Sequence, residues 1–206
     1  MASEQALSFT RDLPLSEAAV TFARRRHAGQ ARGGDSAPFV VHPLEAASLL
    51  ERSGYSDEVV AAAVLHDVLE DTETRREELE QRFGPYVASL VATVTDDPTI
   101  DDEDEQRDDV RERVRLASAS AKAIYGADKV SKVRELRLLL ATGVDPEIAE
   151  SKRHHYEKCL AMLEEDAPDG RIPELLRFEL EALREFPPTG NGNSAPDPDG
   201  RVESHP

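Results

Sequence analysis

The chain has 206 residues, of which 39% are hydrophobic and 33% charged, and its net charge is -17 at pH 7. This acidity argues against binding to nucleic acid polymers or an anionic membrane, because neutralising phosphates requires an excess of Lys and Arg. The sequence has no apolar run approaching the roughly 20 residues of a membrane span, and its N-terminus lacks the features of a secretion signal. Cys159 is the only cysteine, which predicts a reducing, cytoplasmic location.

The apolar residues are mostly Ala, Leu and Val, which favours helices over strands. We predict an all-α domain over residues 15–186, a flexible N-terminus at residues 1–14 and a disordered tail at residues 187–206, where little can be buried. Caps, breakers and apolar spacing predict helices, in chain order, at residues 15–26, 44–52, 57–71, 75–83, 85–95, 107–116, 119–140, 146–164 and 173–186.

The first predicted helix has Ser16 as a candidate N-cap and runs into a basic segment, residues 24–32, that is unusual in so acidic a chain. Arginines near a helix C-terminus are favoured by the helix dipole, so a solvated helix end is the simplest interpretation. An anion-binding segment is the alternative.

His42 comes directly before Pro43, a residue that suits the first turn of the second helix. A single His at such a position is more often a core or capping residue than a metal ligand. By itself it indicates no function.

The third predicted helix is small and apolar at residues 61–65 and then carries four side chains that bind metals or transfer protons. In a continuous helix, His66 and Glu70 would share one face, and so would Asp67 and Asp71. Burying such charges is costly unless they are paired or bound to metal. The pattern therefore indicates a site.

Asp128 lies in an otherwise apolar stretch of the long helix predicted at residues 119–140. A buried Asp needs a cationic partner. That partner is either a metal ion or a basic side chain, the candidates being Lys129, Lys132 and Arg134.

Two other groups of polar residues have simpler interpretations. The acidic run at residues 96–105 is more typical of a solvated loop than of a second metal site. His154 and His155 are predicted to lie on the surface of their helix.

Taken together, two imidazoles and two carboxylates from three predicted helices form a candidate ligand set: His42, His66, Asp67 and Asp128. Mixed nitrogen and oxygen ligands suit Mn, Fe, Co, Ni or Zn better than Ca or Mg. Such a metal lowers the pKa of bound water and polarises phosphoryl oxygens, and Glu70 and Asp71 are placed to orient that water or move its proton. Because the sequence has neither a Walker-type loop nor a nucleophilic Ser or Cys constellation, hydrolysis by metal-bound water is the chemistry that remains.

The order of these residues resembles the H…HD…D signature of the HD-domain metal-dependent phosphohydrolases. Longer segments are similar to the RelA/SpoT-type (p)ppGpp hydrolase domain, and in particular to the small stand-alone alarmone hydrolases of the metazoan SpoT homologue type. These segments are residues 22–32, 38–44, 62–72, 83–84, 91–97 and 127–136.

This resemblance implies an HD-domain helical bundle that removes the 3′-pyrophosphate from guanosine tetra- or pentaphosphate. The implied site binds one Mn²⁺ ion through His42, His66, Asp67 and Asp128. The implied catalytic carboxylates are Glu70 and Asp71, and the implied nucleotide contacts are Arg32 and either Arg25 or Arg26.

The chain departs from the family pattern at Lys132, where the family usually has an Asn that helps to hold the nucleotide. Lys132 could bind a phosphate instead, so we predict Arg25, Arg32 and Lys132 as substrate-binding residues. Residues 33–37 and Phe39 also depart from the usual Lys-Ser-Gly and Tyr. Two alternatives therefore stay open: hydrolysis of another nucleotide, such as a phosphomonoester or the 2′-phosphate of NADPH, and a non-catalytic nucleotide-binding module. The oligomeric state is also open, with a homo-oligomer as one alternative.

Overall fold

The structure, a computed structural model, describes residues 7–32, 37–167 and 169–185. Within these ranges it has nine α-helices, which confirms the predicted all-α fold class. The tail at residues 187–206, predicted to be disordered, lies outside the described residues. The helices, in chain order, are α1 Pro14–Arg26, α2 Val41–Arg52, α3 Asp57–Val64, α4 Val68–Asp71, α5 Arg76–Val94, α6 Glu103–Arg115, α7 Ala119–Ala141, α8 Pro146–Asp166 and α9 Arg171–Glu185.

The described residues contain no β-strand beyond an isolated bridge between Ala31 and Pro38. A short 3₁₀ helix, Ser8–Thr10, precedes α1. Leu7 and Phe9 pack against the core near it. The boundaries assigned to the domain from the sequence stay a prediction.

The prediction that Ser16 caps the first helix is wrong. The helix begins at Pro14, and its first turn is capped by Asp57 at the start of α3. The carboxylate of Asp57 accepts hydrogen bonds from the backbone N–H groups of Leu15 (2.9 Å) and Ser16 (2.8 Å) and from the Ser16 hydroxyl (2.6 Å). The free N–H groups that every helix start leaves are thus satisfied by a residue 41 positions away.

The prediction of one continuous helix at residues 57–71 is also wrong. The chain leaves the helix after Val64 and re-enters it at Val68, so that His66 and Asp67 lie in the turn between α3 and α4. In an unbroken helix, the Asp67 N–H would bond to the Ala63 carbonyl. Here the imidazole Nδ1 of His66 bonds to that carbonyl instead, at 2.8 Å, and the competing side-chain bond accompanies the break.

The acidic run at residues 96–105 is only partly a loop. Asp102 caps α6, because its Oδ1 accepts hydrogen bonds from the backbone N–H groups of Asp104 (3.0 Å) and Glu105 (2.9 Å). Three acidic residues therefore occupy the first turn of α6, where the helix dipole favours negative charge. This helix starts four residues earlier than predicted.

Helix α7 runs between two hydrophobic cores. One core lies among α1, α2, α3, α5 and α7 and is rich in alanine, and the other lies among α6, α7, α8 and α9. Because α7 is covered on both sides, its polar residues Asp128, Lys129 and Ser131 are buried as well. None of the described helices has the length and apolarity needed to cross a membrane.

We expect Asp57→Ala to lower the free energy of unfolding by about 1–3 kcal/mol, because it removes a charged acceptor of several hydrogen bonds at a helix start. Urea denaturation would measure the loss. Glu58→Ala, which changes the exposed neighbouring carboxylate, is the matched control and should change stability little. Equal stability of the two variants would contradict the capping role of Asp57.

Candidate metal centre and adjoining cavity

Four buried polar residues from three parts of the fold meet at one point. His42 comes from the first turn of α2, His66 and Asp67 from the turn between α3 and α4, and Asp128 from the middle of α7; each is at most 5% exposed. The Nε2 atom of His42 lies 3.0 Å from Asp128 Oδ1, and that of His66 lies 3.1 Å from Asp67 Oδ1. The structure thus brings together all four ligands predicted from the sequence.

Each of these side chains has a buried polar atom without a hydrogen-bond partner of acceptable geometry. These atoms are His42 Nε2, His66 Nε2, Asp67 Oδ2 and Asp128 Oδ1. One ligand atom each from His42, His66 and Asp128 all lie within 4.8 Å of one another. Buried polar atoms are rarely left unsatisfied, so their convergence fits a shared divalent metal ion, and the two nitrogens favour a transition metal.

The Nδ1 atom of each imidazole forms a hydrogen bond, and this leaves Nε2 directed at the cluster. His66 Nδ1 must carry a proton, because its partner, the Ala63 carbonyl, can only accept. His42 Nδ1 lies 3.0 Å from the hydroxyl of Ser131, which donates its own proton to Glu45 Oε2 at 2.7 Å. The hydroxyl therefore accepts from His42 Nδ1–H. In its neutral form each ring carries its proton on Nδ1 and presents Nε2 to the cluster, as metal ligation requires.

The two carboxylates of the cluster attract positive charge, either from a proton on the histidines or from a bound cation. Burial lowers the pKa of His66, but Asp67 and Asp128 outweigh it and raise that pKa to about 9. Burial raises the pKa of Asp67, but His66 and His42 lower it by more. Its pKa is therefore below the usual value, and the group stays ionised. Lys129 and Lys132 likewise outweigh burial and hold the pKa of Asp128 well below its usual value.

The structure confirms a basic partner for one oxygen of Asp128, and a metal ion as partner of the other oxygen stays a prediction. Oδ2 pairs with Lys129 Nζ at 2.7 Å, whereas Oδ1 faces the histidines, with Lys132 Nζ 3.4 Å away. Arg134 is not the partner, because it pairs with Glu45 and Glu179. One oxygen is thus occupied by a salt bridge, and the other is directed at the cluster.

The two predicted catalytic carboxylates follow the cluster on the short helix α4. Desolvation raises the pKa of Glu70, and the nearby Asp96 raises it further. Desolvation and the charge of Asp67 raise the pKa of Asp71, whose backbone carbonyl accepts a 2.8 Å hydrogen bond from the Gln30 side chain. Only Glu70 of the pair lines the cavity described next.

A cavity of about 200 Å³ adjoins the cluster, and its lining carries charges of both signs. The lining includes His66, Asp67 and Asp128 of the cluster and the carboxylates of Glu70 and Asp96. The other lining residues include four cationic side chains, Arg107, Lys129, Lys132 and Lys152. The four cationic side chains equal the four carboxylates of the lining in number. In a chain of net charge -17, this local enrichment in Lys and Arg suits an anion that also reaches the candidate ligand residues.

Of the three predicted substrate-binding residues, Lys132 lines this cavity. Arg25 is exposed at the end of α1, and Arg32 lines a different groove with Leu44 and Leu138. Arg26, the alternative to Arg25, pairs with a carboxylate of α5. Nucleotide binding by Arg25 and Arg32 stays a prediction.

The prediction that His155 is a surface residue is wrong, whereas His154 is exposed as predicted. His155 is half-buried and lines the cavity with Lys152 and Tyr156. The sequence analysis missed all three, although their spacing of three and four residues places them on one face of α8. Burial and the charge of Lys129 lower the pKa of His155 to about 3, so the ring is neutral at physiological pH.

We expect His155 to make the protein less stable in mild acid. Its pKa is about 3 when folded and 6.5 in the ordinary case, so below pH 6.5 the unfolded chain binds a proton that the folded protein does not. Between pH 7 and pH 5, His155→Gln should lose roughly 1–2 kcal/mol less stability than the wild type. Denaturant titrations at both pH values would measure this. His154→Gln is the control, and identical losses in all three proteins would contradict the neutral buried ring.

The family model described as an HD domain matches residues 19–159. The chain is 39% identical over 120 residues to guanosine-3′,5′-bis(diphosphate) 3′-pyrophosphohydrolase MESH1 of Danio rerio, covering 57% of this chain and 66% of that protein. It is 38% identical over 128 residues to MESH1 of Mus musculus, covering 61% of this chain and 71% of that protein.

The fold is similar to a solved structure described as a metazoan ortholog of SpoT that hydrolyzes ppGpp and plays a role in starvation responses. The TM-score is 0.74 at 28% sequence identity, and the match covers 85% of this chain and 97% of the other. The matched region, residues 19–159, contains all four residues of the cluster. The chain therefore belongs to the HD-domain family, with relatives among the MESH1 and SpoT-type ppGpp 3′-pyrophosphohydrolases.

Proposed function

We propose that the protein is a metal-dependent phosphohydrolase that acts on a phosphorylated nucleotide, and specifically a guanosine-3′,5′-bis(diphosphate) 3′-pyrophosphohydrolase. The observation that carries this proposal is the group of four buried ligand atoms that lack a hydrogen-bond partner among the described residues, beside a cavity whose lining includes four cationic side chains. The activity named for the zebrafish and mouse relatives supports the choice of substrate. The cytoplasmic location and a homo-oligomer stay predictions.

The residues that would hold the metal ion are His42, His66, Asp67 and Asp128. Their nitrogens and oxygens suit Mn²⁺, which we propose as the ion. When bound, the ion would lower the pKa of a coordinated water and polarise a phosphoryl oxygen. The buried setting of all four side chains keeps bulk water from competing for the same positions.

Glu70 would orient the attacking water through its carboxylate and accept the proton that the water loses. Its pKa is raised by desolvation and by Asp96, which brings it nearer to the working pH, as proton transfer requires. Asp71 would assist from the next position. The hydrogen bond from Gln30 to the Asp71 carbonyl holds the end of α4 that carries both groups.

The four cationic side chains of the cavity would bind the phosphates of the substrate. Lys132 is the member that bears on specificity, because it stands where related enzymes usually have Asn and lies beside the cluster. A cation at this position favours an additional phosphate contact over contact with the nucleoside. Lys132 therefore supports a second candidate function, hydrolysis of another phosphorylated nucleotide.

A substrate panel distinguishes these functions. We expect purified protein with Mn²⁺ to release pyrophosphate from ppGpp at least about tenfold faster than it releases phosphate from NADPH or from simple nucleotides. A preference for NADPH or a nucleotide monophosphate would contradict the first function and favour the second. Metal binding without turnover of any of these compounds would favour a non-catalytic nucleotide-binding module.

Substitutions would separate metal ligands from catalytic carboxylates. Glu70→Gln should lower kcat by about 100-fold or more and retain the bound metal, whereas Asp128→Ala should lose both. Elemental analysis of bound Mn²⁺ and steady-state kinetics would measure the two effects. Glu73→Gln, an exposed carboxylate that does not line the cavity, is the control. Loss of metal from Glu70→Gln would contradict its assigned role.

A further inference from the structure

A chain of hydrogen bonds leads outward from the imidazole of His42. The hydroxyl of Ser131, on α7, lies between His42 Nδ1 (3.0 Å) and Glu45 Oε2 (2.7 Å). Ser131 is 1% exposed and His42 is 3% exposed, so water does not compete for the bond between them. The Glu45 side chain, at the outer end of the chain of bonds, is 27% exposed. Because His42 and Glu45 are three residues apart on α2, one turn of that helix supplies both ends of the chain.

The position of the Glu45 carboxylate is itself fixed. Its other oxygen, Oε1, accepts a 2.7 Å hydrogen bond from Arg134 Nη1, and Arg134 Nε donates to Glu179 Oε1 at 2.7 Å. These contacts join α2, α7 and α9. Arg134 therefore holds in place the Glu45 carboxylate, which accepts the hydrogen bond from Ser131.

The direction of these bonds determines which nitrogen of His42 is free. A serine hydroxyl can donate or accept. While Ser131 donates its hydroxyl proton in a hydrogen bond to Glu45, it can only accept a hydrogen bond from His42 Nδ1–H. The Nε2 atom of His42 then keeps its lone pair. Without Glu45, the hydroxyl could turn and donate to His42 Nδ1, and this would favour the tautomer with a proton on Nε2, which cannot bind a metal ion.

His66 does not depend on side chains in this way. Its Nδ1 bonds to a backbone carbonyl, which can never donate. Of the two imidazoles in the cluster, His42 is therefore the one whose tautomer depends on replaceable residues.

We propose that Glu45 and Ser131 are positioning residues that fix the tautomer and orientation of His42 and thereby raise the metal affinity of the site. This inference rests on the proposed metal-binding role of His42. Glu45 acts only through Ser131. Arg134 contributes by holding the Glu45 carboxylate toward α7.

The test measures Mn²⁺ affinity by competition with a chelator, without substrate. Glu45→Ala and Ser131→Ala should each weaken binding by about tenfold or more, the effect expected when a hydrogen-bond partner of a metal ligand is lost. Because Glu45 acts through Ser131, the double variant should bind no more weakly than Ser131→Ala alone. Glu51→Ala on α2 and Ser89→Ala on α5, neither of which contacts the cluster, are the matched controls.

A second measurement starts with the wild type, and that part does not depend on how the variants fold. The ¹⁵N chemical shifts of His42 in the metal-free wild type should identify the neutral ring as the Nδ1–H tautomer, and Glu45→Ala should shift it toward Nε2–H. A wild-type Nε2–H tautomer, additive losses in the double variant, or unchanged affinity in Glu45→Ala would each overturn the inference while leaving the metal site intact. A wild-type protein that binds no Mn²⁺ would overturn the metal site itself.

Discussion

The fold is organised around buried polar atoms that have no hydrogen-bond partner of acceptable geometry among the described residues. Two imidazole nitrogens and two carboxylate oxygens share one space where α2, α7 and the turn between α3 and α4 meet. A buried polar atom without a partner costs about 1–3 kcal/mol, and more if charged. A metal ion would satisfy all four atoms at once, so its binding free energy would also stabilise the fold. The alanine-rich core around α3 supplies close helix packing that can hold such a cluster in place.

Helix α7 supplies residues to both the candidate ligand cluster and the cavity. Other helices cover it on both sides, so its polar side chains are buried. On it, Asp128 turns one oxygen to the histidines and the other to Lys129. Lys132 comes one turn later and Ser131 just before it, so a single helix supplies a ligand, a cation of the cavity and the hydrogen-bond partner of His42. This arrangement places positive and negative side chains within one small volume. Such a volume suits an anionic substrate that binds beside a metal cation.

The sequence alone predicted the cluster because its signals are local: a His-Asp pair at the end of an apolar helix, and a lone Asp in another apolar helix. It did not predict the break between Val64 and Val68, because helix propensity takes no account of the His66 side chain bonding to a backbone carbonyl. The cap of α1 comes from Asp57, far along the chain, so neighbouring residues give no sign of it. The role of His155 in the cavity likewise follows from how α8 packs on α7, which is a tertiary property.

A chain of net charge -17 and an anionic substrate are compatible because the two act over different ranges. Surface charges are screened beyond about 8–10 Å at physiological ionic strength, so the overall acidity repels an anion only close to the surface. Inside the cavity, the cations of α6, α7 and α8 are partly shielded from salt and water and act at contact distance. A polymer such as nucleic acid needs an extended basic surface, which one cavity of about 200 Å³ does not provide. This distribution of charge is thus compatible with the proposed substrate, a small phosphorylated nucleotide.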